Sequence, residues 1–371
     1  MTTTINNEHK KLNVPNLTDR GNVIRNVPHL RFPEFEGEWE DFLINDVCSE
    51  FKSGKNIKAD SISESGEYPV YGGNGLRGYT SSYNHEGLYV LIGRQGALCG
   101  NVRSVNGKTY ITEHAIAAAG NEKSNTSFLH YLFLKMNLGQ YSDQSAQPGL
   151  AVNKLLKLEV SLPPISEQKK IAKLLSLLDE RIATQNKIID KLQSLIKGIG
   201  KQLFMDNQNW RTVKIGELLR IGNGKDYKHL SIGKIPVYGT GGQMLLVNDY
   251  LYDGESVCIG RKGTIDTPMF LKGKFWTVDT LFYTYDFKDV LPKFCYYLFL
   301  QINWKLYNEG TGVPSLSKST IENIKVKIPS LEQQQKICSI LDCYEHKTNN
   351  EEQILELYHS EKQYLLRQMF I

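Results

Sequence analysis

Two short runs of this chain carry side chains suited to reading nucleic acid. Arg94-Gln95 lies between Gly93 and Gly96, and Arg261-Lys262 lies between Gly260 and Gly263. A guanidinium donates two parallel hydrogen bonds to a guanine edge, a carboxamide pairs with adenine, and an ammonium contacts guanine or phosphate. Flanking glycines let such a loop approach a duplex closely. A second reading stands beside the first: both runs keep the arginine, so Arg94 and Arg261 can equally brace a turn. Side chains that distinguish one base sequence from another should differ between the runs. Gln95 against Lys262 meets that test, and so does Asn74 against Gly241.

Basic loops accompany both runs. Lys52-Ser53-Gly54-Lys55 and Gly224-Lys225-Asp226-Tyr227-Lys228 follow the first helix-like segment of each half, and phosphate contact by Lys52, Lys55, Lys225 and Lys228 is preferred over a merely solvated surface. His114 and Asp279 take roughly equivalent places after Thr112 and Thr277, where readout or packing fits them better than catalysis.

Patterns for covalent chemistry are missing. Gly107-Lys108-Thr109 is the one Gly-Lys-Thr, but a phosphate-binding loop needs glycine where Val102 stands. No Asn/Asp-Pro-Pro-Tyr/Phe stretch is present for methylating a flipped base, and no glycine-rich nucleotide loop follows a strand. The six cysteines form no CxxC pair, whereas a structural zinc needs four converging ligands. No catalytic residue and no metal site is assigned. Scattered carboxylates could still serve a nuclease, so a self-contained DNA-cutting or DNA-modifying enzyme remains the rival reading.

Matched loops need matched scaffolds, and the chain is written twice. Pro69-Val70-Tyr71-Gly72 recurs as Pro236-Val237-Tyr238-Gly239, an offset of 167 shared by Ile92-Gly93-Arg94 and Ile259-Gly260-Arg261. Tyr131-Leu132-Phe133-Leu134 returns as Tyr297-Leu298-Phe299-Leu300 at 166, as do Lys170-Ile171 with Lys336-Ile337 and Lys201-Gln202-Leu203-Phe204 with Arg367-Gln368-Met369-Phe370. Pro148-Gly149-Leu150 answers Pro314-Ser315-Leu316 at the same offset, and Trp39 and Trp210 open the two copies. Such order across a whole unit marks a tandem duplication.

Each copy has a globular part, 31–160 and 206–328, rich in glycine, tyrosine and short β-prone runs. Each is followed by a helical part, 161–205 and 329–371. In the first, Leu175, Leu178, Ile182, Gln185, Ile189, Leu192, Ile196, Ile199 and Leu203 alternate at spacings of three and four, which is the seam of a coiled coil. A shift of 166 gives Leu341, Tyr344, Thr348, Glu351, Leu355, Tyr358, Lys362, Leu365 and Met369, with Ile337, Ile340, Ile354 and Leu366 thickening this more polar seam. The fold class is therefore α+β: two tandem, mostly-β domains, each followed by a long helix, the helices pairing as an antiparallel coiled coil. Gln185 and Glu351 fall near the helix midpoints, either as a buried polar pair or as two solvated side chains.

Composition is compatible with this scheme without selecting it. At 371 residues, 40% hydrophobic and 23% charged, the chain supports two cores. No run approaches 18 apolar residues, and the polar arm 1–30 lacks a signal-peptide core, so a cytoplasmic protein with no membrane contact is expected. A net charge of +4 permits nucleic-acid binding but does not require it.

The opening Arg31-Phe32-Pro33-Glu34-Phe35-Glu36-Gly37-Glu38-Trp39, the Pro-Val-Tyr-Gly segments, and Leu162-Pro163-Pro164-Ile165-Ser166-Glu167-Gln168-Lys169-Lys170-Ile171-Ala172 before a long helix resemble the specificity subunits of type I restriction–modification systems. The likeness runs from about residue 31 to the C-terminus. It implies that 31–160 and 206–328 are target-recognition domains for double-stranded DNA, and that 161–205 and 329–371 are spacer helices. It also implies docking of methyltransferase subunits, two of them, and of ATP-dependent restriction subunits. S-adenosylmethionine, ATP and Mg²⁺ would sit on those partners and none on this chain. Different loops in the two copies then imply an asymmetric, bipartite target. A helix of about 35 residues spans roughly 50 Å, or about 15 base pairs, between half-site centres. A coiled-coil scaffold whose ends bind protein is a third reading.

Overall fold

The computed structural model describes residues 26–143, 149–205 and 208–371. Most of the expected arm 1–30, and Pro148 of the repeat, thus fall outside the described residues. The first globular part contains β1 (Glu40–Leu43), α1 (Ile44–Val47), β2 (Cys48–Ser53), β3 (Tyr68–Gly72), β4 (Gly75–Thr80), β5 (His85–Glu86), β6 (Tyr89–Gly93), β7 (Val102–Val105), β8 (Lys108–Ile111), β9 (Ala115–Gly120), α2 (Thr126–Met136), α3 (Val152–Leu155) and β10 (Glu159–Leu162). The long helix α4 (Ile165–Met205) follows. The second part repeats the pattern with β11 (Arg211–Lys214), α5 (Ile215–Leu218), β12 (Arg220–Asn223), β13 (Ile232–Gly239), β14 (Gly242–Val247), β15 (Tyr252–Gly260), β16 (Met269–Thr277), β17 (Leu281–Tyr285), α6 (Pro292–Gln301), α7 (Lys318–Asn323), β18 (Lys325–Ile328) and the long α8 (Leu331–Gln368).

The chain divides into two compact units, one comprising Met1–Gln185 with Ile354–Ile371 and the other Asn186–Gln353. Each unit thus owns one globular part and a stretch of both long helices. In the first, four strands order as β2-β9-β6-β7, four as β4-β3-β8-β5, and β1 pairs with β10. In the second, one sheet runs β12-β17-β15-β16-β13-β14, and β11 pairs with β18. The difference has a local cause. Strands β15 and β16 run nine residues without a break, whereas the first copy interrupts the same path at Gly87-Leu88 and Asn106-Gly107.

Each core is closed by a buried helix end. Phe370, just past α8, packs 5.1 Å from Phe128 and 6.4 Å from Trp39 in the first unit. Phe204, near the end of α4, packs 5.3 Å from Phe294 and 5.7 Å from Trp210 in the second. The start of each long helix is pinned by a fully buried glutamine. Gln168 accepts from the Asn125 backbone at 2.8 Å and donates to the carbonyls of Lys123 and Pro163. Gln334 accepts from Leu291 at 2.8 Å and donates to Asp289 and Pro329. All four positions repeat at an offset of 166, so the Pro-x-x-x-x-Gln sequence at each helix start is a backbone lock.

Within each unit the helices run antiparallel. In the first, Ile171, Ala172 and Leu175 share a core with Met369, Phe370 and Leu365, while Asp179 farther along α4 meets Lys362. In the second, Gln193 reaches Glu352 at 3.4 Å, and Phe204 and Leu203 share a core with Ile337, Cys338 and Leu341. Every expected seam position is buried or half-buried: Leu175, Leu178, Ile182, Ile189, Leu192, Ile196 and Ile199 on α4, and Leu341, Tyr344, Leu355, Tyr358 and Leu365 on α8. Gln185 is buried and Glu351 half-buried. The thickening of the second seam is narrower than expected. Ile337 is buried and Leu366 half-buried, but Ile340 and Ile354 are 42% and 37% exposed because they fall outside the buried stripe of α8.

Candidate nucleic-acid interface

Five segments meet at one end of each globular part. In the first copy they are the end of β2, the β3–β4 hairpin tip, the Arg94 turn after β6, the turn from β8 to β9, and the segment at Gly149-Leu150. The backbone N–H of Arg94 donates to His114 at 2.9 Å, and Leu150 donates to Arg94 at 2.9 Å. Lys55 donates to Ile111 at 3.0 Å, and Thr112 to Tyr71 at 2.8 Å. The second copy repeats the set: Arg261 to Thr280 at 2.8 Å, Leu316 to Arg261 at 2.9 Å, Lys225 to Thr277 at 2.9 Å, and Val278 to Tyr238 at 3.0 Å. Gln95 bridges Gly149 just as Lys262 bridges Ser315.

Glycine is required at the crossing point of this scaffold. A Cβ on Gly54 would stand 2.2 Å from the Ile111 carbonyl oxygen, and one on Gly224 would stand 1.9 Å from that of Val278. Both distances lie well inside van der Waals contact, so only glycine lets the basic segment lie against the β8–β9 turn in the first copy and the β16–β17 turn in the second.

On this scaffold the side chains differ. In the first copy His114 Nδ1 lies 3.1 Å from Gln95 Oε1, and its Nε2 lies 3.2 Å from Glu113. Arg94 is half-buried, and Gln95 and Asn74 are exposed. In the second copy Arg261, Lys262 and Asp279 line an open cleft of about 630 Å³ with Asn223, Thr280, Phe282, Glu309, Ser315, Leu316, Ser317 and Lys318. The Arg261 guanidinium sits 6.0 Å from the Phe282 ring centroid and donates to the Asp279 carbonyl at 3.5 Å. The hydroxyls of Thr320 and Ser317 hold the Glu309 carboxyl below its usual range, so the cleft keeps a carboxylate among its cations. Exposed cations, a carboxylate and hydroxyls on close-approach loops can bind phosphates and base edges.

The matching family is that of the type I restriction modification DNA specificity domain, found twice, at residues 36–194 and 207–357. The chain belongs to this family. Membership makes it a DNA-sequence-recognition protein of restriction–modification systems rather than a catalyst. A type I restriction enzyme EcoprrI specificity subunit of Escherichia coli is 42% identical over 154 residues, covering 40% of this chain and 38% of that protein. A putative type I restriction enzyme specificity subunit of Haemophilus influenzae is 27% identical over 350 residues, covering 85% of this chain and 89% of that protein. A type I restriction-modification S subunit from M. genitalium shares the fold, with a TM-score of 0.68 at 19% identity over 93% of this chain and 99% of that one.

Within the two specificity domains, hydrogen-bond register corrects two expected correspondences. Ile111 aligns with Thr277 and Thr112 with Val278, so Asp279 corresponds to Glu113 and His114 to Thr280. The acidic position is therefore shared, and His114 against Thr280 becomes the varying pair. Lys52 is not in a loop: it lies on β2, opposite Ala117, and pairs with Glu50 at 3.0 Å. Its counterpart is Gly222 on β12, opposite Tyr283 of β17. Lys55 and Lys225 are the matched cations, while Lys228 is exposed three residues beyond. Asn74 and Gly241 occupy equivalent exposed places at the two hairpin tips.

Sequence reasoning missed several residues. Lys318, Ser317 and Asn223 line the second cleft. In the first copy Arg77 and Arg103 flank the hairpin tip. Arg77 and Arg103 are single charges on two short strands, and they acquire meaning only once strand register is known. Among the described residues no group of three or more His, Cys, Asp or Glu could hold a metal, and no helix is long and apolar enough to cross a membrane.

Proposed function

We propose that each globular part, 31–160 and 206–328, is a target-recognition domain that reads one half of an asymmetric, bipartite duplex target. The observation that carries this reading is the duplicated loop scaffold bearing different exposed side chains. Gln95 answers Lys262, His114 answers Thr280, and Asn74 answers Gly241, while the backbone bonds beneath them are the same. Two readers that differ at their contact surfaces select two different half-sites. Arg94, Arg261, Lys55 and Lys225 supply shared phosphate or turn contacts, and the varying side chains supply discrimination.

In this reading the chain directs methyltransferase subunits, two of them, and restriction subunits that translocate DNA with ATP. S-adenosylmethionine, ATP and Mg²⁺ belong to those partners, and no residue here is assigned to them. A cytoplasmic location follows from the role. The test is to incubate the purified chain alone with labelled S-adenosylmethionine and duplex DNA, then repeat with the methyltransferase subunits present. Methyl transfer is expected only in the assembled complex, together with duplex binding that weakens steeply with salt. Methylation or cleavage by the chain alone would overturn the assignment.

A further inference from the structure

The two hairpin tips carry opposite chemistry. In the first copy Arg77 lies against Gly72, so close that a Cβ there would stand 2.9 Å from its Cδ. In the second copy Met244 takes the same place: a Cβ on Gly239 would stand 2.9 Å from its Sδ. Strand register yields a second such pair. Arg103 stands opposite Leu91 on β6, and Met269 stands opposite Cys258 on β15, which is the position repeating Leu91. Arg103 Nη1 reaches within 2.5 Å of where a Gly75 Cβ would be, at the hairpin tip. Two arginines in one reader are thus two methionines in the other.

Both arginines are exposed. Neither forms an ion pair with a carboxylate among the described residues. They flank Asn74, and the Gly72-Gly73 backbone beneath them abuts the His114 carbonyl and the Arg94 turn. Unpaired guanidiniums beside a base-reading loop are placed for phosphate, to which Arg binds with two parallel bonds. In the second copy Met244 is 53% and Leu246 43% exposed on the same hairpin, so that tip offers apolar contact instead.

We propose that the β3–β4 hairpin is a phosphate clamp, with Arg77 and Arg103 as additional DNA-binding residues, and that the β13–β14 hairpin lacks this function. The first half-site then has two phosphate contacts at its hairpin that the second lacks at the equivalent hairpin. This rests on the DNA-reading assignment above.

The test uses the full chain assembled with its methyltransferase subunits, and a fluorescent duplex carrying the site that the same complex methylates. Affinity is measured across a salt series for the unaltered chain, Arg77→Met and Met244→Arg. Each phosphate contact adds about 0.9 to the slope of log affinity against log salt. Arg77→Met should therefore flatten the slope by about 1, and Arg103→Met likewise, with the methylated sequence unchanged. Met244→Arg should steepen it by about 1. Methionine already occupies the equivalent place in the second copy, and a gain of slope cannot come from misfolding. Unchanged slopes in both Arg77→Met and Met244→Arg, or a changed base preference at Arg77→Met, overturn the clamp while leaving DNA reading intact. Absence of salt-dependent binding by the unaltered complex overturns the DNA reading itself.

Discussion

The backbone N–H of Arg94 donates to the His114 carbonyl at 2.9 Å, and this bond fixes which residues of the two globular parts correspond. The same bond from Arg261 ends on Thr280 at 2.8 Å. Gln95 and His114 touch at 3.1 Å, so they form one variable unit above an invariant turn. The double exchange Gln95→Lys with His114→Thr should therefore change the bases selected in one half-site and leave the other half-site intact. A lost bidentate base contact weakens discrimination by about 1–3 kcal/mol, which is about 5- to 150-fold. Sequencing DNA methylated by the complex reads this directly, and an unchanged target, or one altered in both halves, contradicts it.

Gln168 and Gln334 should be among the most costly positions to alter. Each satisfies one backbone donor and two carbonyls while fully buried. Gln168→Leu strands all three groups, and a loss of about 2–4 kcal/mol in denaturant unfolding is expected. Gln334→Leu should cost a similar amount. The exposed Gln193→Leu should stay within about 0.5 kcal/mol.

His130 gives the fold an acid-sensitive point. Its Nδ1 is buried with no hydrogen-bond partner among the described residues, and burial, reinforced by Lys362 and opposed by Asp179, lowers its pKa from 6.5 to about 4. The unfolded chain binds the proton more readily, so the folded state is favoured fully above about pH 6.5 and loses stability as pH falls toward 4. The loss amounts to at most about 3 kcal/mol. His130→Tyr installs the residue found at the repeated position, Tyr296, and should flatten this part of the stability–pH profile. An unchanged profile would exclude His130 as its source.

The helix seam offers a contrast between neighbours. Ile337 is 7% exposed and Ile340 42%. Ile337→Ala should cost about 2–4 kcal/mol and Ile340→Ala within about 0.5 kcal/mol, by thermal or denaturant unfolding.

The duplication was legible because matched segments such as Pro-Val-Tyr-Gly keep a nearly constant offset. The seam was legible because three-four spacing of Leu and Ile maps onto one helix face. Thr112 and Thr277 look equivalent because both are threonines, which matches His114 with Asp279, but hydrogen bonding makes Thr277 the equivalent of Ile111. Adjacent β-prone residues hide a one-residue slip, and such a slip reverses every side chain. Ile340 and Ile354 have the right residue type but the wrong phase. Arg77 and Arg103 sit on different strands, and only pairing brings both to one tip.

If two unlike domains select one asymmetric target, the sites methylated under their direction carry its signature. The most direct measurement is to sequence every methylated site made by the chain reconstituted with its methyltransferase subunits. Two different short half-sites separated by a fixed run of unread base pairs are expected. A palindromic site, a single continuous site, or methylation without sequence preference would contradict such selection.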